Sequence, residues 1–401
     1  LPGKALILVE NLTVPFDRRV WMECGALRRA GWQVSVICPT GESHQARYEE
    51  LEGVHIYRYP PPPPAAGLLG YAWEFAYCWL RTAWLSLRVL RRHGFDVIHA
   101  CNPPDTFWLL GRMLRPFGKR FLFDQHDLCP EVYLARFGSD REGGLPHRGL
   151  LWLEQRTYRT ADAVVATNES YRQVALDRGR VRPDRCFVVR SAPSRERFAV
   201  LRPVDPSLKR GRRFLVAYLG VMAPQDGVDH LIRAAHHLVR ERARGDVSFT
   251  LIGAGDSFHE LQGLTRRLGL EDFIQFTGRI PDAEVEVLLA TADVCVSPDP
   301  KNPLNDVSTM NKVLEYMACG RPLVAFDLRE TRISAGEGAL YATPNRDEEL
   351  AACIETLLDD AERRRRMGEY NRQRFLEQMA WEYSVTQLIA AYEKSCAPRD
   401  A

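Results

Sequence analysis

The sequence predicts an α/β fold of two Rossmann-like, doubly wound domains. Three observations carry this. A length of 401 residues exceeds one ordinary core and suits two domains. Apolar runs of strand length alternate with helical stretches, the pattern of a parallel sheet covered on both faces. One polar, proline-containing break is followed by a restart of the same alternation.

The first half reads in order as a strand at "KALILVE", a helix near "RRVWMECGALRRAG" and further strands at "QVSVICP", "DVIHAC", "RFLFDQ" and "AVVATN". The break is "RFAVLRPVDPSLKRGRR", residues 197 to 213, a linker by composition. Strands then return at "FLVAYLG", "VSFTLIGAG", "FIQFTG", "DVCVSP" and "PLVAFD". The last apolar pattern, "MAWEYSVTQLIAAYEKSC", is an amphipathic helix expected to return to the first domain through Trp381 and Tyr383. The expected domains are therefore 1–203, with the helix 380–401 packed back on it, and 204–379.

Composition narrows the function. Fractions of 45% hydrophobic and 26% charged residues describe a soluble globular protein, and a formal net charge of +2 gives no reason to expect a nucleic-acid partner. Ten scattered cysteines without a CxxC pair read as reduced thiols, which fits a cytosolic protein and argues against a metal site. The first residues lack a basic segment followed by a long apolar one, and no run approaches the roughly 18 to 20 apolar residues that span a bilayer. A cytoplasmic location is the expectation.

Residues 60 to 92 stand apart. Five prolines form a stiff lead-in to a stretch in which Trp73, Phe75, Tyr77, Trp79 and Trp84 are interleaved with Arg81, Arg88, Arg91 and Arg92. Such a helix can lie in a lipid headgroup region or cover an acceptor groove, and it can also be an ordinary core helix.

Two stretches carry candidate chemistry in the second half. "LIGAGD" holds a GxG turn after a strand, a weak signal for phosphate binding because the third glycine is missing. "STMNKVLEYMACGRPLV" is more specific: Ser308 or Thr309 can cap a helix whose amides face an anion, Lys312 can neutralise a phosphate, and Glu315 can accept from vicinal hydroxyls. Gly320 and Pro322 close that helix ahead of a buried strand. In the first half, His126 and the carboxylates Asp127 and Glu131 follow a strand in "DQHDLCPE", where open α/β sheets bind ligands. Asn102 and Asp105 follow another strand in "CNPPDTFW" and are acceptor candidates.

These stretches together resemble the glycosyltransferase family 4 group of GT-B enzymes, through "VAYLGVMAPQDGVDHLIRAA", "LIGAGD", "FTGRIPDAEVEVLLATADVCVSP", "NDVSTMNKVLEYMACGRPLVAF", "FDQHDLCPEVY" and "ADAVVATNES". The resemblance implies two Rossmann-like domains facing a central cleft, with domain closure assembling the site. It implies a nucleoside diphosphate sugar as donor substrate, no bound cofactor or metal, and transfer with retention of configuration. It places Glu315 on the ribose, His126 beside the anomeric region and acceptor, Gly220 and Val221 at the phosphate loop, and Arg279 with Ile280 against the base.

Three departures accompany it. Val221 and Asp226 stand near the places of the family's Arg and Lys, "ENLTVPFDRRVW" replaces a Gly-Gly turn, and Val307 replaces the first glutamate of an acidic pair. Charge for the leaving diphosphate is then expected from Lys312, from the Ser308–Asn311 backbone including Thr309 and Met310, and from Arg18, Arg19 or Arg190. The Asn305 to Thr309 loop, with Asp306, is expected to meet the donor sugar.

The expected activity is transfer of a sugar from a uridine or, next, a guanosine diphosphate donor. The expected acceptor is a lipid-linked or cell-surface polysaccharide precursor, with the protein peripheral at the inner membrane face through 60–92. A natural-product or small-molecule acceptor is the alternative within the class. A nucleotide-sugar epimerase and a non-catalytic nucleotide-sugar-binding protein are the alternatives outside it.

Overall fold

A computed structural model describes residues 3–41, 44–62 and 67–398. They divide into two units, Leu1–Ser191 with Ser384–Ala401, and Ala192–Tyr383.

In the first unit the chain runs β1 (Lys4–Leu8), α1 (Arg18–Arg29), β2 (Gln33–Pro39), β3 (Tyr48–Leu51), β4 (Val54–Tyr59), α2 (Gly67–Arg92), β5 (Val97–Cys101), α3 (Trp108–Leu114), β6 (Arg120–Gln125), α4 (Cys129–Phe137), α5 (Leu145–Thr160), β7 (Ala163–Ala166), α6 (Glu169–Asp177) and β8 (Cys186–Val188). The sheet order is β3-β4-β2-β1-β5-β6-β7-β8, parallel except for the β3–β4 hairpin. Its inner strands are continuous apolar runs because helices cover both faces; β1 is buried from Ala5 to Leu8. Strand order reverses between β1 and β5, so the chain leaving these two strands opens a crevice at their carboxyl ends.

The second unit runs β9 (Phe214–Leu219), α7 (Val228–His236), β10 (Val247–Ile252), α8 (Phe258–Arg267), β11 (Ile274–Gly278), α9 (Asp282–Thr291), β12 (Val294–Ser297), α10 (Asn311–Ala318), β13 (Leu323–Phe326), α11 (Arg329–Ala335), β14 (Ala339–Ala342), α12 (Asp347–Asp359) and α13 (Ala361–Arg374). Its sheet order is β11-β10-β9-β12-β13-β14, which puts the reversal between β9 and β12. The residues after these strands, Gly220 and Asp299, stand at that switch point.

The expected domain boundary at 203/204 moves to Ser191/Ala192. Residues 192–203 belong to the second unit because their side chains are committed there: Phe198 meets Phe375 edge-on at 6.3 Å, and Arg197 pairs with Glu286 at 2.9 Å. The final helix α14 (Trp381–Cys396) is divided in the same way. Trp381 and Tyr383 lie in the second unit, Trp381 donating its amide to Pro193 O and Tyr383 lying under Arg195. In the first unit it is Tyr392 that anchors the helix, fully buried against Trp32 and His99.

Helix α2 separates into two faces. Cys78, Thr82, Leu85, Ser86 and Val89 are buried. Trp73, Leu80, Trp84 and Leu87 form an exposed apolar stripe at helical spacing, flanked by exposed Arg81, Arg88, Arg91 and Arg92. The last two prolines of the run, with residues 65 and 66, lie outside the described residues. The ten cysteines are free thiols, most of them buried. Among the described residues no helix is long and apolar enough to cross a membrane.

Candidate active site

The chemistry of the first unit gathers around Asp124, a residue inside β6 whose side chain is fully buried. A carboxylate can only accept, so each neighbour must donate to it. Arg19, in the first turn of α1, donates from NH2 at 2.8 Å and from Nε at 3.3 Å. His126, just beyond the strand, lies with Nε2 at 2.7 Å, and His99 on β5 with Nε2 at 3.2 Å. His99 thereby holds its proton on Nε2, with Nδ1 accepting from Tyr392 Oη at 2.8 Å, whereas His126 Nε2 also lies 3.0 Å from the Arg19 Nε donor, so that ring is held between the acid and the guanidinium.

Burial alone would raise the Asp124 pKa; the Arg19 charge and the bonds from His126 and His99 outweigh it and hold the group well below the usual carboxylate range. Glu23, one helical turn beyond Arg19, is pushed up by burial and by Asp124. Asp124 rather than Glu23 therefore carries the negative charge facing Arg19, although Glu23 lies 3.1 Å from Nε. Ligand-type atoms of Glu23, Asp124 and His126 lie within 4.8 Å of one another; the guanidinium of Arg19 is bonded among them. Arg19 NH1 also donates to Val189 O at 2.7 Å and Ser191 Oγ at 2.9 Å, which closes the cage.

Of the predicted carboxylates, neither Asp127 nor Glu131 holds His126. Glu131 forms a bidentate pair with Arg178 at 2.6 and 3.1 Å, and Arg178 also binds Glu154, so Glu131 belongs to a brace between α4 and its neighbours. Asp127 is tied through its backbone: Asn102 Oδ1 accepts from the amides of His126 at 2.7 Å and Asp127 at 3.1 Å, and Asn102 Nδ2 donates to Asp127 O and to Asp105 Oδ1. Asn102 thus shapes the His126 loop from the end of β5. Asp105 is buried, and burial pushes its carboxyl up to about 6. Of the arginines proposed for phosphate, Arg19 is spent on Asp124, Arg18 points outward from the same turn, and the backbone of Arg190 is held by Ser384.

In the second unit Lys312 and Glu315 stand one turn apart on α10. The predicted cap is corrected: α10 starts at Asn311 with Met310 as its uncapped boundary, because Ser308 Oγ turns back to Leu304 O at 2.8 Å and ends a short helical turn at 305–307. Thr309 and Met310 form the step into the helix, with Met310 packed on the core. Asn305 is nearly fully buried and donates to Gln225 O and Pro300 O, while Asp306 accepts from the Arg329 amide and pairs with Lys301. Their side chains fix the loop beside Val307.

Lys312 Nζ lies 2.6 Å from Asp299 Oδ1, 3.7 Å from Asp226 Oδ1 and 5.0 Å from the Tyr218 ring centroid. A methyl group on Gly220 would lie 3.0 Å from Lys312 Cε and 2.7 Å from Tyr218 Oη, so the missing Cβ is what lets the lysine cross the strand end. The Gly220 amide donates to Ile252 O and the Met222 amide to Ala254 O. The GxG of "LIGAGD" serves that contact, since a Cβ on Gly253 would lie 1.9 Å from Gly220 O and one on Gly255 2.5 Å from Met222 O. The turn brings two backbones together rather than opening a cradle.

Glu315 Oε1 faces Arg197 NH1 at 3.9 Å. Val221 is exposed, its carbonyl pinned by Tyr218 Oη at 2.6 Å; Arg279 is exposed, and Ile280 packs against the core. Sequence reasoning missed Asp124, His99, Tyr392, Asp299 and Arg197. A charged residue inside the apolar run "RFLFDQ" is the one local signal that could have found Asp124.

Both halves of the chain match known protein families. Residues 17–192 match the family described as "Glycosyl transferase 4-like domain" and residues 213–360 the family "Glycosyl transferases group 1". An alpha-D-kanosaminyltransferase of Streptomyces kanamyceticus is 31% identical over 88% of this chain and 92% of its own. The MMP alpha-(1→4)-mannosyltransferase of Mycolicibacterium hassiacum is 28% identical over 62% of this chain but only 58% of its own length. Among solved structures, HepE of Anabaena in complex with UDP-glucose superposes with a TM-score of 0.70 at 17% identity, over 98% of this chain and 99% of the other. With both halves matched and a relative aligned along nearly its whole length, the chain belongs to the family 4 glycosyltransferases of the GT-B fold.

Proposed function

We propose that this glycosyltransferase moves a sugar from a UDP-sugar, with retention of configuration, to a lipid-linked precursor of a cell-surface polysaccharide at the inner face of the membrane. The observation that carries the donor half is Lys312 lying against Gly220 at the switch point of the second sheet, with the Glu315 carboxylate one turn further along the same helix. That spacing suits a phosphate on one side and ribose hydroxyls on the other. The UDP-glucose held by the Anabaena neighbour supports uridine as the base.

In the first unit, the His126 ring stands at the end of β6, fixed between Asp124 and Arg19. As the glycosidic bond breaks, positive charge grows at the anomeric carbon and negative charge on the departing phosphate. Lys312 meets the second of these. The acceptor hydroxyl's proton passes to the departing phosphate.

The donor reading is checked by thermal shift with UDP, GDP and their sugars. UDP is expected to raise the midpoint, and Glu315→Ala to weaken UDP by about 10- to 100-fold, the loss of one or two hydrogen bonds to a charged acceptor. Silence toward every nucleoside diphosphate would sink the reading.

The acceptor half rests on the exposed Trp73, Leu80, Trp84 and Leu87 stripe of α2 and its arginine border. Apolar side chains enter the acyl boundary while arginines meet anionic headgroups. Sedimentation with vesicles containing an anionic phospholipid is expected to carry down the wild type, and Trp84→Ala with Arg88→Glu to cut that at least tenfold. Equal, negligible sedimentation of both would instead direct the search to soluble acceptors.

A further inference from the structure

We infer that Asp299 and Asp226 are positioning residues of the donor phosphate grip: Asp299 anchors the ammonium of Lys312 at Gly220, and Asp226 is the carboxylate that the incoming diphosphate displaces from it. This rests on the donor reading of the second unit.

The two carboxylates are not equivalent. Asp299, at the end of β12, is 1% exposed, takes Lys312 Nζ on Oδ1 at 2.6 Å, and has its other oxygen bound by Ser297 Oγ at 2.5 Å. Both of its oxygens are committed to the protein, and it has no route out. Asp226 stands at 3.7 Å from the same ammonium with an 18% exposed side chain. It sits in the loop between β9 and α7, held by one amide, that of Ala223, on Oδ2 at 3.2 Å.

Charge decides which partner yields. One ammonium facing two carboxylates leaves an excess negative charge where a diphosphate must come, and like charges at such distances disfavour binding in a partly dry site. The loosely held, more exposed acid is the one that can withdraw. Burial, with Asp299 adding to it, raises the Asp226 pKa above the ordinary value, which lowers the cost of its losing the lysine.

The loop itself stays in place. Gly227, at φ 64°, packs so closely on Pro298 that a Cβ would lie 2.1 Å from its carbonyl oxygen. Asn305 holds Gln225 O at 2.9 Å. Motion is thereby confined to the Asp226 side chain. The lysine that the family resemblance places near residue 226 is in effect supplied from α10, with its charge parked on an aspartate until the donor arrives.

The test is titration of UDP and of inorganic pyrophosphate into the full chain and its variants. Asp226→Asn keeps the shape and removes the competing charge, so it is expected to tighten both ligands about three- to tenfold. Asp299→Asn frees the lysine from its anchor and is expected to weaken both at least tenfold, with donor KM rising and kcat falling as Lys312 loses its aim at the departing phosphate. In a Lys312→Met background, Asp226→Asn is expected to lose most of its effect.

The opposite signs are what a merely structural role would not produce, and Asp226→Asn decides the matter even if Asp299→Asn fails to fold. If Asp226→Asn weakens UDP or leaves it unchanged while the wild type binds, the inference is overturned and the donor reading stands. If the wild type binds neither UDP nor pyrophosphate, both fall together.

Discussion

Replacing His126 by alanine is expected to lower kcat for sugar transfer by about 10²- to 10³-fold, the range for removing one positioned polar group from the transition state. Donor affinity is expected to stay within about threefold, because the residues read as the donor grip all lie in the other unit. Folding is expected to survive, since the ring is 16% exposed and its loop is held independently by Asn102 through the His126 and Asp127 amides. Steady-state kinetics with the donor and a membrane extract as acceptor, beside nucleotide titration, separate these effects. A His126→Ala enzyme with unchanged kcat would remove His126 from the chemistry.

Asp124→Ala is expected to be the most destabilising single change in the first unit, costing about 3 to 5 kcal/mol. The guanidinium of Arg19 would then stand buried without its anion, and both His99 and His126 would lose their common acceptor. Equilibrium unfolding in urea measures this, and a loss below about 1 kcal/mol would show that Glu23 takes over. The same carboxylate makes the protein acid-sensitive. Its pKa is held well below the ordinary value, so the stability it contributes is complete above the ordinary carboxylate range and is lost as pH falls through the depressed value. Asp124→Asn is expected to flatten that acid limb.

Local pattern made the two sheets and the strand-end loops legible. Continuous apolar runs such as "KALILVE" and "FLVAYLG" mark strands buried on both faces, and their ends placed His126, Asn102 and Gly220 beside the switch points. The β3–β4 hairpin escaped because "YEEL" is short and polar, an exposed edge strand with little apolar signal.

What the local pattern could not supply were partners brought together by the fold. Tyr392 meets His99 across 293 residues of sequence, and Arg19 reaches Asp124 of β6 from helix α1. Candidate arginines were therefore assigned to phosphate when one was needed to neutralise a buried aspartate. Lys312 was found from its helix, but the acids that hold it, Asp299 and Asp226, come from two other loops. Val307 stands where the resemblance expects a glutamate, and the side chains around it, Asn305 and Asp306, are occupied in fixing their own loop.

The central claim is transfer of the sugar itself, and it is tested most directly by incubating the full chain with a sugar-labelled UDP-sugar and anionic membranes. The expected result is label in the organic-extractable lipid with one UDP released per sugar transferred, and neither with His126→Ala. Label that remains in a nucleotide sugar, or a chain that binds UDP and never releases label from it, would contradict transfer and point to an epimerase or to a binding protein.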